Sequence, residues 1–333
     1  MKKIIALCLV FVALCTGLAF KSRKNADTIV IYTSTEDYNM ELLEKRLNEV
    51  FPKYDIVVEY VSTSNIASKI IEEGSSSECD IIFQQDYGYL DMMVEKGVLA
   101  DISNEYNTSL FMEDMLGENK NYIVPTTRNG GAVIINKNVL KEKGIKKPTS
   151  YNDLLKPEFN GLVTMPNPKT SSTGYMFYLS LVNAWGEEAA LKYFDGFKKN
   201  ATIRFTTSGS GPVNKLKEGE VAVGFGMTAQ AVEIINGGHD ELEVVFFNEG
   251  SPVSFLGTSV VKGKETNIEV MEVLDYIINS YIEESCEKFY PEKVFKNIQF
   301  EKANFPKNVK YSKNKKENGS IKRKEQLLKN WKY

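Results

Sequence analysis

TIVIYTSTEDYNMELLEKRLNEVFPKYDIVVEYVSTSNIASKIIEEGSSSECDIIF, residues 28–83, switches repeatedly between two kinds of pattern. Thr28–Thr33 (TIVIYT) is a β-branched apolar run of the kind shown by a buried strand. Met40, Leu43, Leu47 and Val50 then recur at helical spacing, and Pro52 stands just past their end. Asp55–Val61 (DIVVEYV) reads as a second strand. Ser64 caps a helix carrying Ile66, Ile70 and Ile71, closed by Gly74. Asp80–Phe83 (DIIF) is the third strand, with a helix around Leu90–Val94 behind it. Strand and helix alternating three times within about sixty residues predicts the start of a doubly wound α/β sheet.

The pattern resumes after Tyr122–Pro125 (YIVP), with strands expected at Gly131–Asn136 and Leu162–Met165. Val221–Phe225 and the following Thr228–Ile235 repeat strand then helix. Leu242–Phe247 and Phe255–Val261 read as strands, and Ile268–Ile282 as a long amphipathic helix. There is no internal repeat. The tail from Lys307 is lysine-rich and ends in IKRKEQLLKNW, which reads as a solvated surface helix.

With 333 residues and 42% hydrophobic content, the chain can fill two cores. Met1–Phe20 joins MKK to the apolar run IIALCLVFVALCTGLAF, the form of an export signal. Cleavage at Gly17-Leu18-Ala19 competes with a lipobox reading of Val12–Cys15, in which Cys15 is lipidated and anchors the protein to the membrane surface. An uncleaved anchor is a third reading, the run being slightly short for a full span. All three place the body outside the cytoplasm, in the periplasm or at the cell surface. The 41 basic residues, less Lys2 and Lys3, leave 39 against 44 acidic ones, a balance of about −5 that argues against nucleic acid. Of four cysteines, Cys79 and Cys286 lie outside the export segment, and spacing alone does not say whether they pair. No metal-ligand spacing appears among the cysteines.

In open α/β sheets, ligands bind beyond the carboxyl ends of the strands. Nearly every such end here carries hydroxyls, amides or glycine: Ser34 and Thr35, Gln85 and Asp86, Ser171–Gly174, Ser208–Gly211, and Thr228. A helix start exposes unpaired N–H groups at a positive dipole end, which suits an anion. Glycine lets the backbone approach, and serine or threonine adds a rotatable donor. Each loop taken singly is also what ordinary capping requires. Arg128, between Thr127 and Asn129, is a candidate anion clamp or an ion-paired surface residue. Glu249, in Asn248–Pro252, reads as a turn residue or a partner for a ligand amine.

The ordered segments resemble the extracellular solute-binding proteins of ABC importers, in the subgroup that binds ferric iron, sugar phosphates, 2-aminoethylphosphonate and thiamine. The resemblance rests on Ile31-Tyr32-Thr33-Ser34, Glu95–Leu99, Tyr151–Leu155, and Met165–Pro168 with Ser172-Thr173-Gly174. It continues through Ser208–Pro212, Gly219–Ala222 and Asn248-Glu249-Gly250, covering residues 28 to about 285. It implies two α/β domains that close like a clam shell about hinge strands near Pro125–Gly130 and Val245–Gly250. The first domain would take 27–126 plus about 247–285, and the second 127–246 plus about 286–333. Family positions carry over at Ser34, Thr35, Ser172, Thr173 and Ser208–Gly211. Iron-binding members use two adjacent tyrosines, but no Tyr-Tyr pair occurs here, and residues 225–230 read FGMTAQ.

The expectation is a monomeric binding protein without cofactor, metal site or catalytic residues. It would hand a phosphorylated or phosphonate anion to a membrane permease. Thiamine or its phosphates, with Tyr87, Tyr89, Tyr175 or Trp185 stacking on the ring, is the alternative ligand; iron carried with an external anion is the third. An exported phosphate-ester hydrolase or transferase would need a base, and the single histidine, His239, sits in a Gly-Gly-His-Asp loop. An adhesin or sensor on the same fold is the remaining alternative.

Overall fold

The computed structural model describes residues 28–200, 203–307, 309–312 and 320–333. The export segment and Cys15 lie outside them. β1 (Thr28–Thr33) is flanked in parallel by β2 (Asp55–Tyr60) and β3 (Ile81–Asp86), joined through α1 (Asp37–Val50) and α2 (Thr63–Glu73). These parallel strands are covered on both faces, which is why they read as continuous apolar runs. Leu43 and Leu47 of α1 pack with Ile29 and Ile31 on one face. On the other, Ile66 and Ile70 of α2 join Leu90 and Met93 of α3 (Tyr87–Glu95) against Val30 and Ile82.

Gly131–Asn136, expected as a strand, is the second half of a longer 13-residue strand, β4 (Val124–Asn136). Its first half pairs antiparallel with β9 (Val253–Val260), which continues to β3. Its second half pairs with β7 (Val223–Met227) and β8 (Leu242–Val245). β5 (Val163–Pro166) and β6 (Ile203–Thr206) extend this second sheet in parallel. The crossing falls at Gly130-Gly131, where side chains have no room. A Cβ on Gly130 would lie 2.8 Å from Glu292 Oε1, and one on Gly131 2.9 Å from Met176 Cε.

The second sheet has its own cores. One is built by α4 (Lys137–Glu142), α5 (Ser172–Trp185) and α6 (Glu187–Asn200), and includes Tyr151, Phe177, Phe194 and Phe225. The other lies under α7 (Gly211–Lys217) and α8 (Thr228–Asn236), around Val213, Leu216 and Ala231. The chain returns to the first sheet between Phe247, in the second core, and Phe255, in the first. α9 (Ile268–Tyr276) then runs through a π turn, Ile277–Tyr281, into α10 (Ile282–Lys288).

The stretch after 285, expected in the second domain, is divided. Cys286, Val294 and Phe295 pack in the first core, where Phe295 bridges Phe111. Tyr311 bridges Ser251 beside the hinge. The last helix, α11 (Ile321–Asn330), places Leu327 in the second core, followed there by Trp331. Apolar residues on both sides of a polar strap make this division. Cys79 and Cys286 are both buried thiols, in separate cores, and do not pair with each other. No helix among the described residues is long and apolar enough to cross a membrane.

Candidate functional site

Ser34, at the end of β1, accepts a hydrogen bond from Thr63 Oγ1 at 3.0 Å, fixing the loop to the start of α2. Thr35 is 4% exposed, and its hydroxyl donates to Gln84 Oε1 at 2.7 Å and accepts from Asn39 Nδ2 at 3.0 Å. Gln84 also donates to Thr127 Oγ1 at 2.7 Å, tying β1 and β3 to the hinge strand. Gln84 holds a left-handed φ of 51° at an irregularity in the β3–β9 pairing, a conformation sustained by these bonds. Thr35 is therefore a fastener of the first domain, with its hydroxyl engaged inside the protein. Gln85, fully buried, donates from Nε2 to Thr63 O at 2.9 Å and accepts from the Asp86 amide.

Asp86 caps α3, its Oδ1 accepting from Gly88 N at 3.0 Å. Burial pushes its carboxyl up, and the charge of Lys324 opposes that shift. Across from it stands the start of α5. Ser171 caps that helix through a long 3.4 Å bond from Gly174 N to Ser171 Oγ. Ser172 is exposed, whereas Thr173 is 8% exposed. Gly174 is required by packing: a Cβ there would meet Pro166 O at 2.3 Å.

The second loop meets the first. A Cβ on Gly209 would lie 2.6 Å from Thr173 Oγ1 and 3.4 Å from Ser171 Oγ, so the ends of β5 and β6 form one surface. Ser208 and Ser210 are exposed beside it. The helix start at Gly211 is a poorer anion donor than its sequence suggests. α7 has seven residues, and Pro212 removes an N–H from its first turn. Thr228 begins α8 and is buried.

Two candidates fall elsewhere. Arg128 donates from Nη2 to Asp114 Oδ1 at 2.6 Å and lies over the rings of Phe255 and Tyr311, at 5.5 and 5.3 Å. It is an ion-paired hinge residue, and a buried one. Glu249 sits in a turn closed by Gly250 N to Phe247 O at 3.1 Å. Its charge acts on Tyr151 and Tyr193 of the second core.

The residues that the sequence did not mark are on α11. Leu327 and Trp331 fasten it to the second domain, and Trp331 packs 4.6 Å from Phe194 and 4.8 Å from Tyr178. The helix therefore does not float on the surface. Lys324 Nζ lies 5.5 Å from the ring centre of Tyr89 on α3 and 5.1 Å from that of Tyr175 on α5. Burial pushes the Tyr175 hydroxyl up, with the charges of Arg323 and Asp86 acting on it in opposite senses. Asp86, Tyr89, Tyr175, Arg323 and Lys324 thus gather where α3 and α5 begin. The i, i+4 spacing of Leu327 and Trp331 was the available signal for docking. The side chains of Tyr87 and Trp185 are engaged elsewhere, Tyr87 donating to Met115 O and Trp185 packing edge-on to Tyr151. Among the described residues no group of three histidine, cysteine or acidic side chains is arranged to hold a metal ion.

Solved structures with this architecture are numerous. AfuA from Actinobacillus pleuropneumoniae, with exogenous fructose-6-phosphate bound, superposes with a TM-score of 0.73 at 22% identity, over 92% of this chain and 98% of that one. Iron-bound HitA from Pseudomonas aeruginosa gives 0.73 at 17%, over 91% and 98%. A periplasmic thiamin binding protein gives 0.71 at 18%, over 92% and 95%. These likenesses show the fold, two α/β domains about hinge strands. No curated protein matches by sequence. The family model for bacterial extracellular solute-binding proteins matches residues 75–317, which include the third strand, the hinge and both second-domain loops, and the chain belongs to that family.

Proposed function

We propose that this protein captures a small phosphorylated or phosphonate solute between its domains and delivers it to an ABC-importer permease. The observation that carries the reading is the junction of Ser171–Gly174 with Ser208–Gly211 at the start of α5, where Gly209 abuts Thr173. Helix geometry leaves the first amides of α5 without intrahelical partners, Gly174 N being taken by Ser171 Oγ, and the loops that meet there carry the exposed hydroxyls of Ser172, Ser208 and Ser210. Each hydrogen bond to a charged group contributes roughly 1.5–3 kcal/mol. Fructose 6-phosphate in AfuA is a precedent for such cargo on this fold.

Thiamine or a thiamine phosphate is the second reading, favoured by Tyr89 and Tyr175, whose rings lie 5.5 and 5.1 Å from Lys324 Nζ. Iron with an external anion is a third, HitA carrying iron on the same fold. Delivery rather than chemistry follows from the family, and export with a lipid anchor at Cys15 remains part of the proposal. Calorimetric titration with sugar phosphates, phosphonates, thiamine and ferric citrate separates the ligands. Replacing Ser172 and Ser210 with leucine should abolish binding of the phosphorylated compounds. Unchanged affinity after that replacement would refute the anion reading, as would tight binding of neutral solutes alone.

A further inference from the structure

We propose that Asp86, Tyr89 and Tyr175 form an ammonium subsite beside the start of α5, and that the chain's own Lys324 occupies it until a solute bearing an amine displaces it. The proposal rests on the anion reading above for the other end of the solute. It makes the preferred cargo a zwitterion, with its anionic group on Ser171–Gly174 and its ammonium between the two domains.

The surroundings of Lys324 are electronegative. Its Nζ is within cation–π range of both rings, at 5.5 Å from Tyr89 and 5.1 Å from Tyr175. Its charge acts on the carboxyl of Asp86, which caps α3 by accepting from Gly88 N. An anion approaching Lys324 would meet a carboxylate and two π faces, so these side chains suit a cation. The Tyr175 hydroxyl supplies a second observation: the side chain is more than nine-tenths buried and the oxygen has no hydrogen-bond partner among the described residues. A solute N–H reaching Asp86 would find that oxygen as an acceptor.

Three elements build the subsite: α3 from the first domain, α5 from the second, and α11. Only the last reaches it by a separable route. Leu327 and Trp331 hold α11 to the second core, and Lys324 lies one turn before Leu327. The lysine can therefore leave the rings while the helix stays docked. Arg323, beside it, acts on Tyr175 and would remain.

The test compares the native protein with Lys324→Met, titrated calorimetrically with 2-aminoethylphosphonate and with ethylphosphonate. These probes differ in the amine alone. Freed of its internal competitor, Lys324→Met should bind 2-aminoethylphosphonate about tenfold more tightly, with ethylphosphonate changed less than about twofold. Adding Tyr89→Leu should reverse the gain. Weaker binding of both probes by Lys324→Met would make Lys324 an anion clamp and overturn the proposal. Equal effects on the two probes would do the same. If neither phosphonate binds either protein, the anion reading has failed by itself. Tetramethylammonium then reports on the subsite alone, and should raise the melting midpoint of Lys324→Met but not of the native protein. No shift in either would end the proposal.

Discussion

Replacing Glu292 with glutamine removes one titrating group from the hinge and leaves the side-chain volume unchanged. Glu292 is 3% exposed, accepts from Gly130 N at 2.8 Å through Oε1, and accepts from Tyr311 OH at 2.7 Å through Oε2. It thereby joins the crossing point of β4 to the strap that carries the chain toward α11. Burial raises its pKa from 4.5 to about 7, against the opposing hydrogen bonds and the charge of Arg128. The folded state therefore holds this proton more tightly than the unfolded chain does. Its stabilisation is fully present below about pH 4.5 and is lost as the pH rises through about 7. At about 1.4 kcal/mol per unit, the loss amounts to roughly 3 kcal/mol. In Glu292→Gln, the amide oxygen still accepts from Gly130 and the amide nitrogen donates to Tyr311, so this dependence disappears. Urea unfolding of both proteins between about pH 5 and pH 8 measures it. The native protein should lose roughly 3 kcal/mol relative to the variant across that range. Parallel pH profiles, or a native protein that gains on the variant as pH rises, would show that Glu292 is ionised in the fold and refute the reasoning.

Gly174→Ala should destabilise by about 2 kcal/mol: a helical alanine gains up to about 1 kcal/mol, but overpacking against the backbone at Pro166 costs more. Thermal melting of the variant checks the sign, and a raised midpoint would contradict the close packing of α5 on β5. Both thiols of protein beginning after residue 20 should resist Ellman's reagent while folded and react fully in denaturant. Cys79 and Cys286 are buried, and burial pushes the Cys286 thiol well up. Trp331→Ala should cost about 3–5 kcal/mol and release α11, seen as fast amide exchange over residues 321–330.

Much of the first domain was legible because its elements are periodic over contiguous residues. TIVIYT and DIIF became β1 and β3, and the Leu43 and Leu47 stripe became the buried face of α1. The Ser171 cap was visible from residue type alone and is present. Of β4 only Gly131–Asn136 was read as a strand, because the polar residues Thr126–Asn129 before it form no apolar run and their partner strand β9 lies far along the chain. Thr35 passed for a ligand contact because a hydroxyl at a strand end looks the same whether it faces a cleft or Gln84. Arg128 and Glu249 were undecided for the same reason: their partners lie on other elements.

By itself, the order of residues determined the alternation of strands and helices, the capped start of α5, and membership of a solute-binding lineage through its ordered motifs. Only the tertiary structure decided that residues 86, 89, 175 and 324 meet. Periodicity and capping are set by neighbours within a few residues, so they can be read from a line of text. The meeting of α3, α5 and α11 depends on how two domain cores and a C-terminal strap fit around the hinge. That fit is a matter of shape and burial summed over the whole chain.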